Sequence, residues 1–217
     1  MIIDILFGIH KSIYFNFKYF SFAVAIKLPV LLSNNVSLKT VKGEVILKKV
    51  RTGIVKIGFN DVGIFDKKRE KCIWDVQGKV YFAGGAVIGH GSKVSVLKSG
   101  ILSIGKGFCL SASSSIVCAK KVTFGDECLV SWDVLIMDTD FHKVFDKNQI
   151  YINPPKEIFI DDNVWIGCRC TILKGVYISK GNVIGATTTI SKSVVESKVV
   201  IAGKTQNIVK RGISWKG

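Results

Sequence analysis

Acidic residues are scarce. Sixteen Asp and Glu stand against thirty-one Lys and Arg in 217 residues, a net charge of +15 that favours an anionic ligand, substrate or surface. The cations come as singles and short groups, Lys48-Lys49, Lys67-Lys68-Arg69, Lys120-Lys121 and Lys210-Arg211. No arginine-rich arm, zinc-finger spacing or aromatic interleaving accompanies them, so nucleic acid is not an expected partner. Three prolines, Pro29, Pro154 and Pro155, and no low-complexity linker leave nothing to divide the chain into separate bodies. Long apolar runs are missing too. Lys11, Lys18 and Lys27 interrupt the Phe-, Ile- and Leu-rich first 32 residues before any stretch reaches the roughly 20 apolar residues that cross a bilayer. Asp4 stands where a secretory leader carries positive charge. This segment is expected to form one or two short helices packed on the body, with a peripheral membrane contact by Ile13, Phe15, Tyr19, Phe20 and Phe22 as the alternative.

Several chemistries lack their signature. No Gly-x-Ser-x-Gly elbow presents a nucleophilic serine, and Ser111, Ser113, Ser114 and Ser115 read as turn hydroxyls. Gly89-His90-Gly91 and Gly105-Lys106-Gly107 belong to no phosphate-loop pattern and are expected at turns. The six cysteines follow no disulfide framework, so reduced thiols and a cytoplasmic setting are expected. Cys168 and Cys170 make at most half of a zinc site, and no metal is expected.

What the sequence does hold is a repeat. Ile160, Ile166, Ile172, Ile178, Ile184 and Ile190 recur every six residues. The position four after each Ile is also restricted, to Val164, Cys170, Val176, Asn182, Thr188 and Val194. A helix cannot keep every sixth residue on one stripe, and a flat strand cannot pass through the turns Asp161-Asp162-Asn163 and Ser179-Lys180-Gly181. A triangular coil that turns a corner every six residues does both, stacking Ile on Ile along its axis. Phe124, Val130 and Ile136 share the phase, with Cys128 and Val134 at the companion position; further upstream Ile104, Leu110 and Ile116 hold the spacing until a two-residue slip before Phe124 breaks it, and Phe82, Ile88 and Val94 form an earlier, looser set. Strand signals begin at Val45-Ile46-Leu47. The expected division is an N-terminal segment 1–35, a β-helix 36–211 with an extruded loop 137–157, and a tail 212–217.

That loop breaks a tight solenoid and carries one of the three histidines, His142, shortly after Asp138 and Asp140. Histidine takes a proton from a hydroxyl near neutral pH, and a neighbouring carboxylate can set its tautomer, so His142 is the candidate general base with Asp138 and Asp140 beside it.

The blocks Val122-Thr123-Phe124-Gly125-Asp126, Asp138-Thr139-Asp140-Phe141-His142, Asn163-Val164-Trp165-Ile166-Gly167 and Ile184-Gly185-Ala186 resemble the hexapeptide-repeat acyltransferases, in particular the galactoside, maltose and surface-polysaccharide O-acetyltransferases. The resemblance covers most of residues 80 to 211. It implies an all-β, single-stranded left-handed parallel β-helix with a short N-terminal helical segment, and a homotrimer with active sites between subunits. It also implies transfer of acetyl from acetyl-CoA to a sugar or oligosaccharide hydroxyl, with His142 as base. Asp126 and Trp165 would face the acceptor, while Trp165, Gly185, Ala186, Lys204 and Lys210 would follow acetyl-CoA. Each has a plainer alternative: Asp126 a turn, Trp165 a cover for the coil, Gly185 and Ala186 close corner packing. The stretch Ser111-Ala112-Ser113-Ser114-Ser115 lacks the asparagine with which galactoside-type relatives hold their sugar, so a simple galactoside bound in the same way is not expected, and the resemblance points to a cell-surface or capsular polysaccharide as acceptor. N-acetylation of an amino sugar and a non-catalytic anion-binding scaffold are the alternatives.

Overall fold

The computed structural model describes residues 2–66 and 69–217, which places Lys67 and Lys68 outside the described residues. Its body is a left-handed triangular parallel β-helix. Among the described residues the strands form three sheets of nine, seven and six, and each turn of the coil gives one strand to each. Pairing joins equivalent residues of successive coils: Val130 to Ile166 to Ile184 to Ile201 in the first sheet, Ile116 to Ile136 to Ile172 to Ile190 in the second, Phe82 to Ile104 to Phe124 to Ile160 to Ile178 in the third. The six-residue series of isoleucines is fully buried, as are the companion residues Val164, Cys170, Val176, Asn182 and Thr188. The core is thus a set of side-chain columns running along the axis.

A corner every six residues needs a backbone that bends back, and the same turn recurs. The third residue after an inward side chain sits at positive φ at Glu127, Asp133, Asn163, Arg169 and Thr187, with Gly175 and Gly181 in the equivalent places. The left-handed conformation costs a non-glycine residue roughly 1 kcal/mol, which burial of the inward side chain one residue later outweighs. Asn182 is the polar member of its column, and it is satisfied: its side chain donates to Glu196 O and accepts from Val199 N, at 2.7 and 2.9 Å.

The N-terminal segment differs from the expectation of short helices through residue 32. It forms one long helix, α1 (Ile2–Tyr19), then a single turn, α2 (Phe22–Ala25), and by Val30–Leu32 it is already β1, the first strand of the solenoid. Neither hydrophobic period two nor six is readable in Val30-Leu31-Leu32, because all three side chains are buried between the coil and α1. The free edge of β1 is hydrogen-bonded by α1 side chains. Asn16 donates to Val30 O at 2.7 Å and accepts from Val30 N at 3.2 Å, and Ser12 Oγ accepts from Leu32 N at 2.8 Å. Phe15 packs edge-on to Trp74 at 5.4 Å, and Trp74 Nε1 donates to the Tyr19 hydroxyl. Phe15 is therefore core and Tyr19 and Phe20 pack on it, so of the five residues offered for a membrane contact only Ile13 and Phe22 are exposed. Among the described residues no helix is long and apolar enough to cross a membrane.

The solenoid has two excursions where the repeat suggested one. The first, residues 58–71, leaves between Val55–Ile57 of the first sheet and Cys72–Val76 of the second; the second, 138–157, leaves between Leu135–Met137 and Ile158–Ile160. The far end closes on Asn207–Arg211, which pairs antiparallel with Val199–Ala202.

Replacing Ile172 by Ala should cost about 2–5 kcal/mol in denaturant unfolding, because the columns above and below close the cavity only partly. A loss below about 1 kcal/mol would mean that the stack repacks freely.

Candidate active site

The loop 138–157 is anchored by its first residue. Asp138 is fully buried, and its carboxylate accepts the backbone N–H groups of Ala119, Lys120 and Lys121 at 2.6, 2.8 and 2.8 Å. A buried carboxylate is tolerated because three donors replace its water. Lys156 N closes the stem on Asp138 O at 3.1 Å. The expectation that Asp138 orients the imidazole is therefore corrected: its carboxylate is used up on the preceding coil's corner.

The Asp140 carboxylate is also engaged by other partners. It accepts from Lys174 Nζ and from Asn153 Nδ2, the latter at 2.8 Å. Hydrogen bonds from Lys174 and then Asn153 hold its carboxyl below the usual carboxylate range. Asn153 ties both arms of the loop, donating to His142 O at 3.0 Å and accepting from Val144 N at 2.6 Å, while Lys174 Nζ reaches Asn153 O at 2.9 Å. Neither Asn153 nor Lys174 was anticipated. The signals were present, an Asn before Pro154 at the loop's return and a Lys at a corner of the next coil, but nothing in the spacing ties them to Asp140.

Between these anchors the chain bends hard. Phe141 lies at φ 61°, and His142 N donates to Asp140 O at 2.7 Å, a γ-turn. Thr139 Oγ1 accepts Phe141 N at 3.0 Å and backs the turn. The left-handed conformation is costly at an aromatic residue, and such strain persists where surrounding bonds over-determine it. Its effect is to fix the backbone of His142 while leaving the imidazole exposed, with no hydrogen-bond partner among the described residues. Beyond it, Val144 to Ile152 form a small hairpin, bridged at Phe145 and Tyr151, whose Val144, Phe145, Ile150 and Ile152 side chains are exposed.

The other expected residues lie elsewhere on the prism. Trp165 points outward from the first sheet, partly exposed; its Nε1 donates to Ser131 Oγ at 3.0 Å, and its ring meets that of Trp215 at 5.9 Å. The loop leaves at the corner between the second and third sheets, so Trp165 and His142 occupy different sides of one chain. Asp126 is at the corner between the third and first sheets, where its carboxylate accepts Lys106 N at 2.7 Å while its own N–H donates to Asp162 at 2.7 Å. These bonds tie Asp126 to the corners of the coils on either side. Gly185 and Ala186 form the corner between the first and second sheets near the C-terminal end, and a Cβ on Gly185 would lie 3.0 Å from the Ala202 Cβ. Lys204 follows in the next turn and Lys210 in the last strand; both are exposed, and neither enters an ion pair among the described residues. The cysteines are free, and burial pushes Cys118 and Cys128 up to about 12 and Cys72 and Cys170 up to about 11, which keeps them protonated and unreactive.

No protein-family model matches the chain. The polysialic acid O-acetyltransferase of Escherichia coli O1:K1 / APEC is 35% identical over 74 residues, 33% of this chain and 24% of that protein. That of Neisseria meningitidis is 36% identical over 56 residues, 25% of this chain and 26% of that protein. The matched region thus spans about a quarter of each curated relative. The crystal structure of the polySia specific acetyltransferase NeuO superposes with a TM-score of 0.55 at 26% identity, covering 85% of this chain and 90% of that one.

The two loop carboxylates should behave differently when removed. Asp138→Ala removes the acceptor of three partly buried N–H groups and empties a buried site, and should cost about 1–3 kcal/mol of global stability. Asp140→Ala should change global stability by less than about 1 kcal/mol, its carboxylate being close to half exposed, yet open the hairpin to proteolysis between 141 and 152. Because Asp140 titrates lower folded than unfolded, its tether is complete above the ordinary carboxylate range and is lost as pH falls through the depressed value. Protease protection of the loop that persisted unchanged to about pH 2 would contradict this assignment.

Proposed function

We propose, from the resemblance of this chain to the hexapeptide-repeat acyltransferases, that it is an acetyl-CoA-dependent O-acetyltransferase whose acceptor is a hydroxyl of a surface or capsular polysaccharide. The observation that carries the reading is the loop turn at Phe141, which holds the backbone of His142 rigidly and leaves its imidazole free to meet a hydroxyl. The likeness to polysialic acid O-acetyltransferases supports the acceptor class. The net charge of +15 supports an anionic polymer in particular, since a field of that sign draws a polyanion toward the surface.

In this reaction the acceptor hydroxyl oxygen attacks the thioester carbonyl, His142 takes the hydroxyl proton, and the ester forms as the thiolate of CoA leaves and is protonated. The sugar hydroxyl is almost wholly protonated at neutral pH, so a base within reach contributes about 100-fold or more. With Asp138 and Asp140 engaged elsewhere, the imidazole's other nitrogen needs its partner from a backbone carbonyl, a second subunit or the acceptor itself.

Trp165, Gly185, Ala186, Lys204 and Lys210 belong to another side of the prism from His142. A homotrimer in which the loop of one subunit meets the first-sheet side of the next brings both halves of the site together. The exposed apolar residues of the hairpin, Phe145 and Ile150 among them, support that contact. Its place of action is proposed to be the cytoplasm, where acetyl-CoA is available.

His142→Ala should lower acetyl transfer by about 100-fold or more and leave acetyl-CoA affinity within a few fold. Retained turnover on the true acceptor, with fold and assembly intact, would make His142 structural. Lys204→Ala and Lys210→Ala should weaken CoA more than dephospho-CoA, since the 3′-phosphate is the extra anion; equal losses for the two ligands would assign both lysines to general surface charge.

A further inference from the structure

Helix α1 carries apolar side chains on two opposite faces. Ser12, Phe15, Asn16 and Tyr19 lie toward the coil, where they bind the free edge of β1 and the ring of Trp74. At 100° per residue the opposite side gathers Leu6, Phe7, Ile13, Tyr14 and Phe17 into an arc of roughly 120°, interrupted only by His10. All five are exposed, Leu6 by 65% and Phe7 by 66%. The stripe continues past the helix end, because Phe17 meets Phe22 edge-on at 5.9 Å and Phe22 itself is 72% exposed, with Ile26 beyond it. A helix apolar on both faces has a partner on both faces, and the solenoid supplies only one.

The geometry limits what the second partner is. Since one face of α1 seals the free edge of β1, the other points away from the coil stack along its axis, across the end of the prism. The apolar stripe is edged by Lys18 on α1 and Lys27 just after α2, against a single acid, Asp4, in the first 43 residues. Phenylalanine, tyrosine and leucine in the middle with lysine at the rim is the composition of a helix lying flat in a lipid interface. We infer that the outer face of α1 and α2 is a docking surface for an anionic lipid bilayer, into which Phe7, Phe17 and Phe22 insert while Lys18 and Lys27 meet headgroup phosphates. In a three-fold assembly about an axis parallel to the coils, three such faces would lie in one plane, and weak single contacts would combine. The surface is separate from the loop site, and its contribution does not depend on the transfer reaction.

The test is co-sedimentation of the full chain with vesicles of phosphatidylcholine alone and of phosphatidylcholine with phosphatidylglycerol. The chain should pellet with the phosphatidylglycerol vesicles, less at high salt and less with phosphatidylcholine alone. Exchanging two aromatic side chains, Phe7→Ser with Phe22→Ser, should lower the vesicle-bound fraction at least about tenfold while thermal unfolding and solution acetyl transfer stay unchanged. Lys18→Gln with Lys27→Gln should reduce binding to the anionic vesicles selectively. Failure to bind either vesicle, or undiminished binding by the double Phe variant, would overturn the inference. A loss of sedimenting mass in that variant without lipid would assign the stripe to a contact between copies of this chain and overturn it equally.

Discussion

Parallel hydrogen bonding between successive coils survives only while every inward side chain stays directly above its counterpart, and the rest of the molecule is arranged around that requirement. A slip of one residue would send the isoleucines at 160, 166 and 172 to solvent together. The corners answer to the same demand: non-glycine residues such as Ser113, Glu127 and Asn163 accept positive φ because the next residue is thereby delivered to a column. At the polar column members Asn182 and Ser114 the side chain binds backbone atoms of the neighbouring coil, so polarity is admitted there without breaking the ladder.

This rigidity also decides where chemistry can be placed. A strand interior offers no freedom, so the chain departs from the coil only at corners, and it re-enters in register. The 138–157 excursion illustrates the cost. Asp138 is buried to hold the departure point, Lys156 closes the return, and Asn153 with Lys174 spans the interior. Four polar groups are committed to presenting one imidazole. Preorganisation here comes from the backbone and from carboxylates that never touch the histidine, in contrast with sites where the carboxylate holds the ring directly.

The period of six was legible because burial in a solenoid is strictly periodic and isoleucine fills most of the inward places, so the columns from Phe124 onward follow from spacing alone, whereas the breaks in spacing between Val94 and Ile104 and between Ile116 and Phe124 hide how the earlier coils join them. The upstream coils were not, since Val30-Leu31-Leu32 is buried on both sides and the 58–71 excursion removes the phase relation between Ile57 and Trp74. In the loop, His142 stood out by residue type and location, whereas the partners of Asp138 and Asp140 are backbone groups and side chains from other coils. Their identity is a property of stacking, and proximity in sequence pointed to the wrong pairing. Asp126 was ambiguous for the same reason: a corner acid that caps the coil below has the same local sequence as one that faces a ligand.

The first sheet is closed at both of its ends differently from its middle. An unprotected first or last coil presents the same cross-section and the same strand polarity as any internal coil, which is the template for end-to-end fibre growth. Here α1 occupies the donors and acceptors of one terminal edge with its own side chains, and the other terminus finishes in a strand of reversed direction, onto which a parallel coil cannot register. In the first sheet, therefore, neither terminal strand offers a free parallel edge onto which another coil could add, and the repeat between the two closures is insulated from its own template.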